Sequence, residues 1–138
     1  MTSENTINWA GVLIIRDGQI LSLKETTKDF YQLPGGKMEP GETPEETVVR
    51  EVDEELAVTV SNLEKLMEVD EGAKSQDRTM HFILFRGEIG ELPDRAGLPP
   101  KTETLAWIDS NFESQVSDIG NLLRYHVIPE LKQKSLIN

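Results

Sequence analysis

The residues that decide the fold run from Gly36 to Val58 and read GKMEPGETPEETVVREVDEELAV. Their middle carries the signals of a helix N-terminus. Thr43 can cap the helix, Pro44 suits the first helical position, and Glu46 stands where a capping box places a carboxylate. We therefore predict a helix from about Pro44 to Leu56.

Acidic side chains crowd one face of this predicted helix. Successive side chains rotate by about 100°, so Glu51, Glu54 and Glu55 share a face and we expect their carboxylates to converge. Such like charges destabilise a helix by roughly a few tenths of a kcal/mol per pair, and no lysine lies between Thr43 and Leu56 to offset them. A hard divalent cation would neutralise them, although by spacing alone a solvated acidic face is the commoner explanation. The adjoining arc is apolar and can dock on a sheet: Val48, Val49, Val52 and Leu56.

A glycine-rich segment, Leu33 to Glu42, leads directly into the capped helix. Glycines let backbone groups approach a metal ion or a phosphate closely, and a helix N-terminus favours negative charge. We expect a loop here, with Gly36 at the ligand. Lys37 follows the glycine pair and can meet a phosphate, although a solvated lysine explains this residue equally well.

A fixed spacing joins this segment to the helix: Gly36, five residues, Glu42, seven residues, Arg50-Glu51-Val52, one residue and Glu54-Glu55. The spacing resembles the signature of the Nudix hydrolase family. One position departs from the family, because Ala57 stands where the family has glycine before the closing apolar residue. A glycine there ends the helix in a left-handed conformation, so alanine either strains that end by roughly 1 kcal/mol or changes its geometry.

The resemblance implies a metal-dependent hydrolase. One or more Mg²⁺ or Mn²⁺ ions would be held by four groups: the carboxylates of Glu51, Glu54 and Glu55 and the backbone carbonyl of Gly35. Arg50 would orient the carboxylates, with Glu42 as its partner. Metals at such a site neutralise pyrophosphate oxygens and lower the pKa of a bound water, so that hydroxide attacks phosphorus in line.

The general base is a separate question, because members of the family place it on different residues. Some place it inside the signature, where Glu51 and Glu54 lie, and others in a later loop. Glu103, four residues before Trp107, is our candidate for an outlying metal ligand or base. An ordinary exposed glutamate at the start of a strand explains Glu103 equally well.

The rest of the chain predicts a mixed α/β (α+β) fold. Asp17-Gly18 is a strong hairpin signal. The expected strands are Ile7 to Ile15, Ile20 to Leu23, Phe30 to Leu33, Val58 to Val69, Thr79 to Phe85 and Thr104 to Ile108. We expect loops over Glu71 to Arg78 and Arg86 to Lys101, and a last helix, Ile119 to Leu131, that Pro129 bends or interrupts. This order agrees with the Nudix fold that the resemblance implies, an α-β-α sandwich around a mixed β-sheet, in a single domain over residues 1–138.

Composition limits the classes of partner. The 138 residues include no cysteine, which excludes disulfides, thiolate zinc sites and thiol nucleophiles. A formal charge of -11 argues against a surface that grips a nucleic acid polymer. The N-terminus does not resemble a signal peptide, and no apolar run approaches the ~20 residues that cross a bilayer, so we expect a cytoplasmic protein without a membrane segment. The oligomeric state is left open, a homodimer included.

The expected activity is hydrolysis of a phosphoanhydride bond in a small nucleotide. A modified nucleoside triphosphate is the first candidate, and ADP-ribose or another nucleotide sugar is the alternative. An inactive module that only senses nucleotides would lack one of the helix glutamates, and none is missing here. A calcium buffer would need an Asp-rich loop of about twelve residues, which the chain lacks.

Aromatic and histidine side chains are weaker candidates for the site. Four aromatic residues can stack on a base, although each is more often part of a core: Trp9, Tyr31, Phe82 and Trp107. We expect a structural role for His81, and a position without a partner at the surface or the core edge for His126.

Overall fold

The structure is a computed structural model that describes residues 6–73 and 78–138. The strands are β1 Thr6–Leu13, β2 Ile15–Arg16, β3 Gln19–Glu25, β4 Gly35–Lys37, β5 Val60–Ala73, β6 Arg78–Ile89 and β7 Thr102–Ile108. The helices are α1 Pro44–Leu56, α2 Phe112–Gln115 and α3 Ile128–Gln133; a 3₁₀ turn at Arg95–Gly97 precedes β7, and a π-helical segment, Leu122–Val127, leads into α3.

Two sheets organise the chain. One has four strands in the order β4-β1-β6-β5, with β1 parallel to β6 and the other pairs antiparallel. The other has three antiparallel strands in the order β2-β3-β7. The first sheet is therefore mixed, as the fold prediction requires.

Helices cover this framework on two sides, because β1 alternates between two cores. Ala10 and Val12 pack in one core with Val48 and Val52 of α1. Leu13 belongs to a second core, together with residues of the C-terminal helical segments, Leu123, Val127 and Leu131. The predicted mixed α+β fold, with helices on both sides of a mixed sheet, is confirmed.

The hairpin signal and the helix cap are confirmed in detail. Asp17 and Gly18 have φ of 52° and 76°, the positive values that a two-residue type I′ hairpin requires, between the paired residues Arg16 and Gln19. At the start of α1, Thr43 Oγ1 accepts a hydrogen bond from the Glu46 N–H at 3.1 Å. Glu46 Oε1 accepts one from the Thr43 N–H at 2.9 Å, which completes the capping box.

Helix α1 ends in the left-handed conformation expected for the glycine of the family, although the residue here is Ala57. Ala57 has φ 58° and ψ 35°, in the left-handed region, and its N–H donates to the Asp53 carbonyl at 3.0 Å. The geometry is thus kept and the cost is strain, the first of the two outcomes expected for this position.

The strand expected over Phe30 to Leu33 is wrong. That segment makes only isolated bridges, and the strand is β4, Gly35–Lys37, which lies in the segment predicted to be a loop. Pairing with β1 explains the error, because the absence of a side chain lets Gly35 pass very close to β1. A Cβ atom on Gly35 would lie 2.4 Å from the Ala10 carbonyl oxygen.

Two of the predicted loops are shorter in the structure, because strands occupy parts of them. Strand β5 continues to Ala73 and β6 begins at Arg78, so both ends of the loop expected from Glu71 are strand, and its residues 74–77 lie outside the described parts of the chain. The segment Arg86 to Ile89 also belongs to β6. Antiparallel pairing of β5 with β6 accounts for both errors, since it stabilises polar stretches that show no alternation.

The last helix is interrupted near Pro129, as expected, and the interruption is a change from π-helical to α-helical structure. The π-helical segment Leu122–Val127 passes into α3, and Pro129 lies in the first turn of α3. A proline has no N–H to donate to the preceding turn, so the interruption takes the form of a wider turn. Among the described residues, no helix combines the length and the apolarity needed to cross a bilayer.

Candidate active site

Glu55 is the most deeply buried acid of the site. Its side chain has no exposed area, and its Oε1 accepts a hydrogen bond from the Gly35 N–H at 2.9 Å. Its Oε2 is also buried and has no hydrogen-bond partner among the described residues. Burial, together with the nearby charges of Glu51 and Glu25, raises the pKa of Glu55 to about 9. The protein alone therefore favours the neutral form of this carboxyl group near pH 7, and a bound cation would favour the ionised form.

Glu51 lies beside the glycine pair. The residue is 8% exposed, and its carboxylate lies so close to Gly36 that a Cβ atom there would be 2.4 Å from the carboxyl carbon. Arg50 Nη1 donates to Glu51 Oε1 at 2.8 Å. Burial raises the pKa of the Glu51 carboxyl group. Gly36 is therefore required for space, whether or not its backbone meets a ligand.

The side chain of Glu54 does not point in the same direction as those of Glu51 and Glu55. Its side chain is 49% exposed, and it contacts Arg50 Nη1 at 3.4 Å. On an ideal helix Glu55 lies about 40° to one side of Glu51 and Glu54 about 60° to the other, so burying Glu55 turns Glu54 to the rim. In residues 6–73 and 78–138, no three acidic or histidine side chains stand close enough to hold a metal ion. The expected convergence of all three carboxylates is thus not seen.

Arg50 ties the helix to the preceding segment. Its Nε and Nη2 donate to the two oxygens of Glu42 at 2.7 and 2.9 Å, and Nη2 also donates to the Lys37 carbonyl at 3.2 Å. Thr47 Oγ1 donates to Glu42 as well, at 2.8 Å. The hydrogen bonds from Arg50 lower the pKa of Glu42 to about 2, and the contact raises the pKa of Arg50. The predicted Arg50–Glu42 partnership is present.

The Gly35 carbonyl is available to a ligand. In the ladder between β4 and β1, the Val12 N–H donates to the Pro34 carbonyl and the Met38 N–H to the Asn8 carbonyl. Antiparallel pairing alternates, so Gly35 directs its N–H and its carbonyl away from β1. The Gly35 N–H indeed meets Glu55 of α1, and we infer from the strand geometry that the carbonyl points to the same side of β4.

A cleft of about 450 Å³ opens beside α1, and Gly35, Arg50 and Glu51 line it, whereas Glu54 and Glu55 are not among the described residues that do. Three lysines and several acids line it, among them Lys28, Lys37, Lys101, Glu25, Glu39 and Glu51. Glu25 was missed by sequence reasoning. It is 8% exposed and shares strand parity with Leu21 and Leu23, which pack in the core beneath α1. A glutamate that continues the apolar face of a strand was the available signal.

The structure does not bring Glu103 into this cleft. Its carboxylate lies 2.8 Å from Lys24 Nζ, its side chain is 42% exposed, and it is not among the described residues that line the cleft. Its role as an outlying ligand or base remains a prediction.

A second cavity, also about 450 Å³, adjoins the first. The two share four lining residues: Trp9, Lys28, Gln32 and Lys37. Beyond them the second cavity is bounded mainly by apolar and aromatic groups, with the rings of Trp9 and Phe82 edge to face at 5.5 Å. Of the four aromatic candidates, Trp9 and Phe82 line this cavity, whereas Trp107 packs under the Arg16 guanidinium, 5.6 Å from the ring centre.

The two histidines differ. His81 lies between Asp70 and Glu68, at 2.6 and 3.2 Å, outside both cavities as far as the chain is described. The hydrogen bond to Asp70 raises the pKa of His81. The expectation that His126 has no partner is wrong, because its Nε2 lies 3.3 Å from Glu71 Oε2.

Comparison with known proteins agrees with this architecture. The family model for the NUDIX domain matches residues 6–114. A MutT-like protein of Streptomyces ambofaciens is 39% identical over 85 residues, which cover 59% of this chain and 51% of that protein. An 8-oxo-dGTP diphosphatase of Proteus vulgaris is 33% identical over 75 residues, which cover 54% of this chain and 67% of that protein.

Solved structures place the fold in the same class. The crystal structure of a MutT NUDIX hydrolase from Burkholderia pseudomallei is similar with a TM-score of 0.66 and 28% identity, over 76% of this chain and 84% of that chain. The chain belongs to the NUDIX domain family, and its fold is that of Nudix hydrolases. The matched segments span only about half to two thirds of the two relatives.

Proposed function

We propose that this chain is a divalent-metal-dependent pyrophosphohydrolase that cleaves a phosphoanhydride bond of a small nucleotide, with a nucleoside triphosphate as the first candidate. One observation carries the proposal: the aromatic cavity and the charged cleft beside α1 share a wall that holds Lys28 and Lys37. A nucleotide has the same three parts in the same order, an aromatic base, anionic phosphates and bound cations.

The residues at the α1 side of this cleft, with the buried Glu55 next to them, fit a hard divalent cation. Glu55 has a buried oxygen without a hydrogen-bond partner in the described chain, Glu51 is nearly buried beside it, and the Gly35 carbonyl is not used by the sheet. Carboxylate and carbonyl oxygens are the ligands that Mg²⁺ and Mn²⁺ prefer. These groups, with Glu54 at the rim, would hold the ion. When bound, it would neutralise phosphate charge and acidify a water.

The chain's own residues would handle the substrate and the proton. Lys28 and Lys37 offset the phosphate charge in a protein whose formal charge is -11. Arg50 fixes Glu51 through a 2.8 Å hydrogen bond while both its Nε and Nη2 stay on Glu42. Glu54, half exposed and only loosely bound by Arg50, has the accessibility that a proton acceptor for the attacking water needs.

The activity is tested with a panel of nucleoside triphosphates, ADP-ribose and dinucleoside polyphosphates, each with Mg²⁺ or Mn²⁺. From a nucleoside triphosphate, release of pyrophosphate indicates cleavage between the α and β phosphates and release of orthophosphate indicates loss of the terminal phosphate, whereas cleavage of ADP-ribose is scored by its products AMP and ribose 5-phosphate. Preferred turnover of ADP-ribose would favour the nucleotide-sugar alternative. No metal-dependent turnover of any member would contradict the proposal.

Substitution of Glu54 separates an enzyme from a sensing module. We expect Glu54→Gln to lose several orders of magnitude in metal-dependent kcat while its thermal unfolding is unchanged, since the side chain is half exposed. Glu45→Gln is the matched control, an exposed glutamate in the first turn of the same helix. Equal activity of the two variants would refute the role of Glu54.

A second pair of variants identifies the outlying carboxylate. Glu25 lines the cleft and Glu103 does not, so we expect Glu25→Gln to weaken Mn²⁺ binding by about tenfold or more, the usual scale for a lost supporting group. Glu103→Gln should bind Mn²⁺ as the unaltered protein does. Electron paramagnetic resonance titration of free Mn²⁺ measures this directly. The reverse result would restore Glu103 to the role predicted from the sequence.

A further inference from the structure

Glu71 is a charged residue in a cavity that is otherwise mostly apolar. It lies on β5 opposite Met80, and both residues line the cavity that contains Trp9 and Phe82. Glu71 does not line the charged cleft beside α1, so it belongs to the part of the cavity away from the proposed metal site. A nucleotide whose phosphates lie near Lys28 and Lys37 would bring its base to this part.

The Glu71 carboxylate has unused capacity to accept hydrogen bonds. Its Oε2 is buried and accepts no hydrogen bond from any residue that the structure describes, although His126 Nε2 lies 3.3 Å away. A buried acceptor left without a donor destabilises the fold. The 3.3 Å contact with His126 is the one ion pair that the described chain offers this carboxylate, and it leaves hydrogen-bond acceptors that a bound group with N–H donors would use.

The other polar groups of the cavity are less able to distinguish one base from another. Asp118 already accepts hydrogen bonds through Oδ1 from Arg124 and from the Ile119 N–H, at 2.8 and 2.9 Å. The amides of Gln32 and Asn121 carry a donor and an acceptor each, so they can turn to suit either kind of base edge. An ionised glutamate can only accept hydrogen bonds, so it favours a base edge that carries hydrogen-bond donors.

We propose that Glu71 is a specificity residue of the nucleotide site, selecting bases that present two neighbouring N–H donors. A carboxylate has two oxygens and pairs best with two parallel donors. A base of the guanine type offers these at its ring N–H and its exocyclic amino group, whereas adenine offers an acceptor beside its amino group. The inference rests on the proposed function, because it assigns the aromatic cavity to the base.

The test compares GTP, ITP and ATP. ITP lacks the exocyclic amino group of GTP and keeps the ring N–H. We expect kcat/KM to fall in the order GTP, ITP, ATP, and Glu71→Gln to lower the ratio of GTP to ATP by about tenfold or more, as for other sites that lose a partner for a polar substrate group. Glu68→Gln is the control, since Glu68 contacts Lys65 and His81 outside the cavity and should leave the ratio unchanged.

Binding separates this inference from the proposed function. Calorimetry of GDP and ADP without turnover should show the same preference and the same loss in Glu71→Gln. If no nucleotide is hydrolysed but GDP still binds more tightly through Glu71, the proposed activity fails and the specificity role stands. A ratio of GTP to ATP, or of GDP to ADP affinity, that is equal in Glu71→Gln and the unaltered protein overturns the inference.

Discussion

Replacing Ala57 by glycine should stabilise the protein, although it removes a methyl group. Ala57 has φ 58° and ψ 35°, a left-handed conformation that costs a residue with a Cβ roughly 1–2 kcal/mol. Glycine avoids this cost but loses more freedom on folding, by roughly 0.5–1 kcal/mol. The methyl group is exposed, so its removal forfeits little burial, and the N–H contact to the Asp53 carbonyl is kept. We expect a net gain of about 0.5–1 kcal/mol.

Thermal and urea unfolding followed by circular dichroism measure this gain. For a chain of this size it corresponds to a rise in Tm of roughly 2–4 °C. The matched control is Ala96→Gly, at an exposed position in the 3₁₀ turn that is not among the residues with positive φ. There the entropic term acts alone and should destabilise the protein by roughly 0.5–1 kcal/mol. Equal destabilisation by both substitutions would refute the reasoning.

Two further predictions concern Gly36 in the site and the pair of His81 with Asp70. Gly36→Ala should displace the Glu51 carboxylate, since the added Cβ would lie 2.4 Å from its carboxyl carbon; we expect a loss of at least tenfold in kcat/KM, and unchanged kinetics would mean that Glu51 has room to move. Asp70 raises the pKa of His81 in the folded protein, so this pair contributes its stability below the unfolded pKa of about 6.5 and loses it as pH rises through the folded pKa. Urea unfolding across this range should show the dependence, and a His81→Gln variant with the same pH profile would exclude the pair as its cause.

The features that local rules determine were predictable from the sequence. The start of helix α1 was predictable because Thr43, Pro44 and Glu46 act within one turn. The Asp17-Gly18 hairpin has the same local origin, since its two residues supply the positive φ values themselves. The departure at Ala57 was also visible, although the sequence left open whether strain or a changed geometry would result.

Features that depend on contacts between distant segments were not predictable. Gly35 and Gly36 form a strand because β1 pairs with them, and nothing within the glycine pair indicates that pairing. The direction of Glu54 followed from the depth at which Glu55 is buried, which the helical spacing does not fix. Glu25 reaches the site because β3 lies against the same core as α1, across a long stretch of sequence.

The position of Trp9 has a practical consequence for the study of this protein in solution. Of its two tryptophans, Trp9 stands in the wall common to both cavities, and Trp107 packs under Arg16 on the other sheet. Indole fluorescence depends on the immediate surroundings of the ring. A ligand in the cleft or in the adjoining cavity should therefore change the emission of Trp9, whereas the emission of Trp107 should stay constant. In a Trp107→Phe variant, the intrinsic fluorescence of Trp9 alone would report ligand binding, without an added dye.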